Sequence, residues 1–466
     1  MTGRAFPVAG TKRPWRLSVM FKPSSAPELH RPRSLEIFAR EQPYLSPGFQ
    51  NVALLSKLVL ERGDGCYLTD VDGNRFLDFM AGICVCSLGY SHPAYVAALT
   101  EQLNKITVGS FCTPNRAKFL ARMAEIAPGP LSQTMLYSGG AEAVEAAIRL
   151  AKSYTGKFEV LAFWGGFHGK TGGVLGLMGS TFKQHWGPLH PGLHLAPYAY
   201  CERCPFKLPY PACGLHCLDF AREVIRLNTA GELAAILVEP VQGTAGNIVP
   251  PPEFLPGLAQ IAKDHGALLI ADEMITGFGR TGLMFGCSHF GVLPDIMTIG
   301  KGMGSGFPVS GLISSPAIMR AEPYSKPSAA SSSYGGNPLA ATAAWITLET
   351  ILKEKLVENS ARVGAYLLQR LLNLREKYPF IGRVQGLGLL IGLEFVKDRK
   401  TKELLPGQVM EIVFQESLKR GLLAMNYTAQ FRINPPLVLT EAQAEEGVGI
   451  LDEVCAYIDR EVRPYW

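Results

Sequence analysis

Four short apolar runs constrain this chain more than anything else in it: "EVLAFWGG", "AAILVEP", "GALLIADE" and "DIMTIGK". None alternates apolar with polar residues, as a strand with one wet face does. Strands of this kind are buried on both faces, the situation of a parallel sheet sandwiched between helices. Helical patterns such as Pro252–His265 separate several of them, which makes βαβ units. "GAEAVEAAIRLAKSYTG" is a helix with acids in its first turn and a glycine at its end. The expected fold class is therefore α/β, with a mostly parallel central sheet.

The flanks read differently. "GDGCYLTDVDGNRFLDFMAGI" alternates around a turn at Asp72–Gly73, so a small antiparallel hairpin is expected there. After Asn337–Pro338 a long helical pattern runs to "LREKY", followed by strands in "GRVQGLGLLIGLEFVKD" and a last helix in "EAQAEEGVGILDEVCAYIDREV". With 466 residues there is room for two or three domains. The expected division is an arm at 1–34, an N-terminal segment with the hairpin at 35–91 that joins a small domain, a large α/β domain at 92–345 and a small α+β domain at 346–466.

The arm carries seven Lys or Arg against the single acid Glu28, together with five prolines, and reads as a flexible or loosely docked extension. The prolines argue against the amphipathic helix of a transit peptide, and no secretory apolar region is present, so the cytoplasm is the expected location. A net charge of +5 is small for this length and does not suggest nucleic acid. No apolar run approaches the roughly 20 residues of a membrane helix. Ten cysteines are scattered over the chain, unlike a secreted disulfide scaffold. Four of them, Cys201, Cys204, Cys213 and Cys217, form C-x2-C-x8-C-x3-C. Zinc or an iron–sulfur centre is one reading of that spacing, although the loop between the pairs is shorter than in zinc fingers. A surface excursion with reduced or mutually paired thiols is the other, and no metal is assigned.

Functional groups of open α/β sheets gather at the carboxyl ends of the strands. Gly139, Gly140 and Ala141 follow "QTMLY" and enter a helix, where bare amides and the helix dipole suit a phosphate. Phe167 and His168 sit between glycines in "GGFHGKT", where an aromatic ring can cover a flat ligand. Glu239 ends another strand, and Asp272 ends "LLIAD", placed to hold a protonated ring nitrogen or to cap the next segment. Lys301 stands alone between an apolar run and a string of glycines. An amine so isolated is suited to bonding a carbonyl covalently. A phosphate cradle, a ring cover, a carboxylate and a lone lysine together describe pyridoxal 5'-phosphate. Dinucleotide binding is disfavoured, because no G-x-G-x-x-G follows the first strand.

With these motifs the chain resembles the class III aminotransferases of the fold-type I pyridoxal-phosphate enzymes, from about residue 40 to the C-terminus. That group includes the acetylornithine, 4-aminobutyrate and ω-amino acid transaminases. The resemblance implies that Lys301 forms the Schiff base with the cofactor, Asp272 pairs with its pyridine nitrogen, Phe167 stacks on its ring, and Gly140 and Ala141 hold its phosphate. Ser333 takes the place of a threonine that reaches the phosphate of a neighbouring subunit, implying a homodimer or a dimer of dimers. Arg432, in "FRINPPL", matches the arginine that holds the substrate α-carboxylate. Ile275 replaces a glutamine that often donates to the cofactor phenolate. Thr244 replaces the glutamate that swings against the arginine in the 4-aminobutyrate and ornithine enzymes, so Arg432 is expected to stay open in both half-reactions. Ile83 replaces the glutamine of the related dialkylglycine decarboxylase and, with Cys84, suggests an apolar wall for the donor side chain. The expected activity is transfer of an amino group from an amino acid or ω-amine to a 2-oxo acid, with pyruvate or glyoxylate ahead of 2-oxoglutarate. A racemase, an aminomutase or a dialkylglycine-type decarboxylase on the same scaffold is the alternative.

Overall fold

The computed structural model describes residues 24–466. Most of the arm expected at 1–34 lies outside the described residues. Its last residues begin helix Pro32–Glu41, where the backbone N–H groups of Arg33 and Ser34 donate to Asp72 at 2.8 Å.

Among the described residues, fourteen strands form three sheets. Strands β1 (Leu60–Asp64), β2 (Tyr67–Asp70) and β3 (Arg75–Asp78) make an antiparallel meander. The hairpin expected at Asp72–Gly73 is its β2–β3 turn, closed on Asp70, whose Oδ1 accepts from Asp72 N and Asn74 N. The central sheet contains β4 (Gln133–Tyr137), β5 (Glu159–Phe163), β6 (Leu193–Ala196), β7 (Leu233–Val238), β8 (Leu268–Asp272), β9 (Ile296–Ile299) and β10 (Ser310–Ser314). Their spatial order is β4-β10-β9-β8-β7-β5-β6, parallel except for β10. The four apolar runs are β5, β7, β8 and β9, and every residue in them is buried. Near the C-terminus, β11 (Ile381–Leu387), β12 (Leu390–Phe395) and β14 (Gln430–Ile433) form an antiparallel sheet. The short β13 (Leu422–Leu423) pairs in parallel with β3, tying the N-terminal meander to the C-terminal part.

The long helical pattern after Pro338 divides into Pro338–Lys353 and Leu356–Lys377. Lys355, in the left-handed region at φ 53°, breaks it. The first of these helices spans the expected boundary at 345/346.

After β3 the backbone makes a left-handed turn, with φ of 47° at Ala81, 60° at Gly82, 71° at Ile83 and 63° at Cys84. Such angles disfavour residues with a Cβ, and a branched one most of all. Fully buried Asp78 holds the turn: Oδ1 accepts from Met80 N (2.8 Å) and Ala81 N (3.1 Å), and Oδ2 accepts from the Tyr90 hydroxyl (2.6 Å). Burial raises the Asp78 carboxyl from 3.8 to about 6. Between those values the folded chain keeps a proton that the unfolded chain has released. Its contribution is complete at low pH and is lost as pH rises through about 6, by about 1.4 kcal/mol per pH unit. Asp78→Asn should remove that share of the slope in denaturant unfolding followed from pH 4 to pH 7. An unchanged slope would assign the dependence to other carboxylates.

Candidate active site

The carboxyl ends of β4, β5, β8 and β9 open on one cavity of about 530 Å³, lined by Gly140, Ala141, Phe167, His168, Asp272 and Lys301 among others. The first two open helix Gly140–Thr155, so their N–H groups have no acceptor within the helix. Gly139 is not at the cavity surface, and its N–H points to the Glu142 carboxylate at 3.4 Å.

Phe167 and His168 follow β5 on a bend that begins at Gly165, φ 80°. The bend is braced from beneath by Glu239, just beyond β7. Its Oε1 accepts from Phe167 N and its Oε2 from Gly243 N, both at 2.9 Å. Burial raises the Glu239 carboxyl, against the opposing pull of His168. Glu239 therefore shapes the wall and does not line the cavity.

Asp272 closes β8 and is 1% exposed. Its Oδ2 lies 2.7 Å from His168 Nδ1, and its Oδ1 accepts from Thr298 Oγ1 (3.0 Å) and Met274 N (3.2 Å). These contacts fix the plane of the carboxylate. Thr298 was not singled out in the sequence, because only the register Asp272↔Thr298 between β8 and β9 brings it there. Lys170, another residue not singled out, also lines the cavity. Its Nζ lies 5.8 Å from the Phe167 ring centroid and 4.7 Å from that of Phe182.

Lys301 follows β9 on a tight turn with φ 43°, and β10 then returns antiparallel. Its amine makes no hydrogen bond or ion pair among the described residues. The adjoining glycines are needed for close packing: a Cβ at Gly300 would lie 2.6 Å from Met274 Sδ, and one at Gly302 would lie 2.5 Å from Ser87 Oγ.

The remaining candidates lie around this centre. Ile275 is buried in an apolar cluster with Cys84, Val241 and Leu390. Ile83 packs beside the cluster of Met80 and Leu423. Thr244 lines a second cavity of about 350 Å³. Arg432, half-buried on β14 opposite Gly392, has no ion pair among the described residues. Ser333 is exposed, with its carbonyl packed against Gly109. The four clustered cysteines line a separate cavity of about 20 Å³. All ten cysteines are free thiols, and among the described residues no group of three or more His, Cys, Asp or Glu is placed to hold a metal ion.

Residues 50–455 match the family model described as Aminotransferase class-III. The chain belongs to the class-III aminotransferase family. An acetylornithine aminotransferase from Archaeoglobus fulgidus is 36% identical over 401 residues, covering 85% of this chain and 95% of that one. An alanine/serine racemase from Pyrococcus horikoshii is 34% identical over 439 residues, covering 90% of each. Among solved structures, an amine transaminase from an uncultivated Pseudomonas species, in its PLP-bound form, has a TM-score of 0.83 and 32% identity, covering 89% of this chain and 98% of that one.

This class-III aminotransferase thus has the α/β fold of the fold-type I enzymes, and its family's cofactor is pyridoxal 5'-phosphate. The local chemistry fits that group. A lysine amine without a competing acceptor, a buried carboxylate held by His168 and Thr298, and open helix amides share one cavity. Its volume is in the ordinary range for a cofactor site.

Proposed function

We propose that the chain moves an amino group from an amino acid or ω-amine to a 2-oxo acid, with pyruvate or glyoxylate ahead of 2-oxoglutarate. The observation that carries this reading is the convergence of Lys301, Asp272 and the open amides of Gly140 and Ala141 on one cavity. When bound, pyridoxal phosphate supplies a protonated ring that delocalises the electron pair left by loss of a Cα proton. The protein residues do the rest. The Gly140 and Ala141 amides hold the phosphate. Asp272, oriented by His168 and Thr298, keeps the proton on the ring nitrogen. Phe167 covers the ring, and the Lys301 amine takes up and returns the substrate proton.

Arg432 binds the α-carboxylate of each substrate in turn. Support comes from its lack of an ion pair among the described residues and from Thr244 standing where an acidic gate is found in some relatives. Arg432→Leu should raise the half-saturating concentration of 2-oxo acids roughly 10- to 100-fold, the weight of a charge-assisted pair. A donor amine without a carboxylate should change little. Equal losses for both in steady-state kinetics would make Arg432 a structural residue.

The similar identity to an alanine/serine racemase keeps a second reading alive. It shares the cofactor residues and differs in where the proton returns. A chiral assay of single amino acids, with and without 2-oxo acid, separates the two. Turnover that requires the 2-oxo acid supports the aminotransferase, whereas inversion without one makes the chain a racemase.

The working unit is a homodimer or a dimer of dimers in the cytoplasm. Exposed Phe111 (69%) and Tyr334 (75%) flank the contact between Gly109 and Ser333, which supports a covered face there. Light scattering that found a fully active monomer would overturn the assembly.

A further inference from the structure

Arg432 stands on β14, and β14 is zipped to β12: Arg432 pairs with Gly392 and Gln430 with Glu394. Directly opposed residues of an antiparallel pair share a face, so Arg432 and Glu394 project to the same side. No side chain at Gly392 takes up the space beside Arg432. Burial raises the Cys84 thiol, and Arg280, Lys301 and Arg432 pull it back down, so Arg432 shares the neighbourhood of Lys301. Its position relative to that lysine depends on what holds β12.

Two attachments do so. The first is the loop after β7. Fully buried Asn247 donates through Nδ2 to Ile391 O (2.8 Å) and to Asn434 Oδ1 (2.7 Å), the latter two residues beyond Arg432. The two backbones also touch, because a Cβ at Gly392 would fall 2.1 Å from Gly246 O. The second is the excursion between β6 and helix His216–Asn228. Its Arg203 grips Glu394 with two nitrogens: Nε lies 3.1–3.2 Å from both carboxylate oxygens, and Nη2 donates to Oε2 at 2.9 Å. Beside it Glu202 pairs with Lys402 at 3.0 Å, a second tie to the C-terminal part. Glu394 is 1% exposed. A buried ion pair adds little net stability, since its charges leave water, but a two-point fork fixes distance and direction. The excursion is itself firmly packed. Phe206 meets His216 and Phe220 of the helix with centroids 4.8 and 5.2 Å apart. The cysteines on either side of Arg203, Cys201 and Cys204, share with Cys213 and Cys217 a void of only about 20 Å³.

We propose that this excursion is a strap that sets the position of Arg432, with Arg203 and Glu394 as positioning residues for the substrate α-carboxylate. The inference rests on the proposed function for one point, that Arg432 receives that carboxylate. The strap acts through Glu394, two residues along β12 from the partner of Arg432. When the fork is cut, β12 and β14 can shift together, and a guanidinium displaced by about an ångström loses its bidentate fit. Asp272, Lys301 and the amides of Gly140 and Ala141 follow strands of the central sheet and stay where they are. The loss is therefore confined to ligands that carry a carboxylate.

The test compares alanine with 2-aminopropane, which has a methyl group in place of the carboxylate, by the absorbance change each causes in the holoenzyme. Arg203→Gln should weaken alanine binding roughly tenfold while 2-aminopropane binding and the affinity of the apoenzyme for pyridoxal phosphate stay as in the wild type. In an Arg432→Leu background the same substitution should add no further loss, because the strap acts through Arg432. A second tenfold loss there overturns the proposal. So does unchanged alanine binding in Arg203→Gln, or an equal loss for both amines, which would make Arg203 a structural residue. If Arg203→Gln fails to fold with Glu394 left unpaired, the double variant Arg203→Gln with Glu394→Gln removes both charges and is judged by the same outcomes. Arg432→Leu that weakens both amines equally sinks the reading of Arg432 and the strap with it. A selective loss in Arg203→Gln without amino transfer to any 2-oxo acid would sink the proposed aminotransferase and leave the strap standing.

Discussion

Lys301→Ala should leave a folded chain with almost no turnover, lower by on the order of 10⁴-fold or more. The structure explains why folding survives. The Lys301 amine has no hydrogen bond or ion pair among the described residues, so its removal orphans no partner. Alanine meets the left-handed backbone at this position (φ 43°) on much the same terms as lysine does. What disappears is the amine proposed to bond the cofactor and carry the substrate proton. Borohydride treatment of the wild type should fix the cofactor on the peptide containing Lys301. Label on a different lysine would refute the assignment, as would a variant that still turns over.

Asp272→Asn is the second large effect, a loss on the order of 10³-fold in the rate of proton abstraction, or about 4 kcal/mol in the barrier. The amide oxygen can still accept from Thr298 Oγ1 and Met274 N, which now donate to Oδ1. On the other side an N–H replaces the oxygen that faces His168 Nδ1 at 2.7 Å, so His168 must present an unprotonated nitrogen there. The charge proposed to stabilise the ring proton is gone. Rapid mixing of the coloured enzyme with a donor amine follows the step directly. Near-normal rates would reduce Asp272 to a cap on the end of β8.

Which parts of this were readable from the sequence follows from how local each signal is. Strands β5, β7, β8 and β9 announce themselves because both faces are covered, leaving no reason for polar alternation. Asp272 and Lys301 are legible for the same reason: each is the first charged side chain after such a run. Strand β10 (Ser-Gly-Leu-Ile-Ser) carries no such mark, though it is an interior strand between β4 and β9. The break at Lys355 is equally silent, because Glu354 and Lys355 both favour helix. Contacts set by register or long-range packing were out of reach. Thr298 meets Asp272 only through the pairing of β8 with β9. Arg203 meets Glu394 across 191 residues of chain. Gly139, read as part of the phosphate cradle, is turned away by a side chain three residues on, a choice between rotamers that sequence does not record.

The sheet order β4-β10-β9-β8-β7-β5-β6 has a consequence for the time course of folding. Gly140 and Lys301, the first and last residues of the proposed cradle, follow strands β4 and β9, which are separated in space by β10, a strand made later than either. A fragment ending before residue 310 lacks the strand that pairs with both β4 and β9. Closing so many non-local pairings is slow, since loop entropy is lost before contacts are gained. Capture of the cofactor should therefore mark the end of refolding, with colour returning only after helical signal has recovered. A ribosome-bound chain likewise stays colourless until Ser314 has emerged.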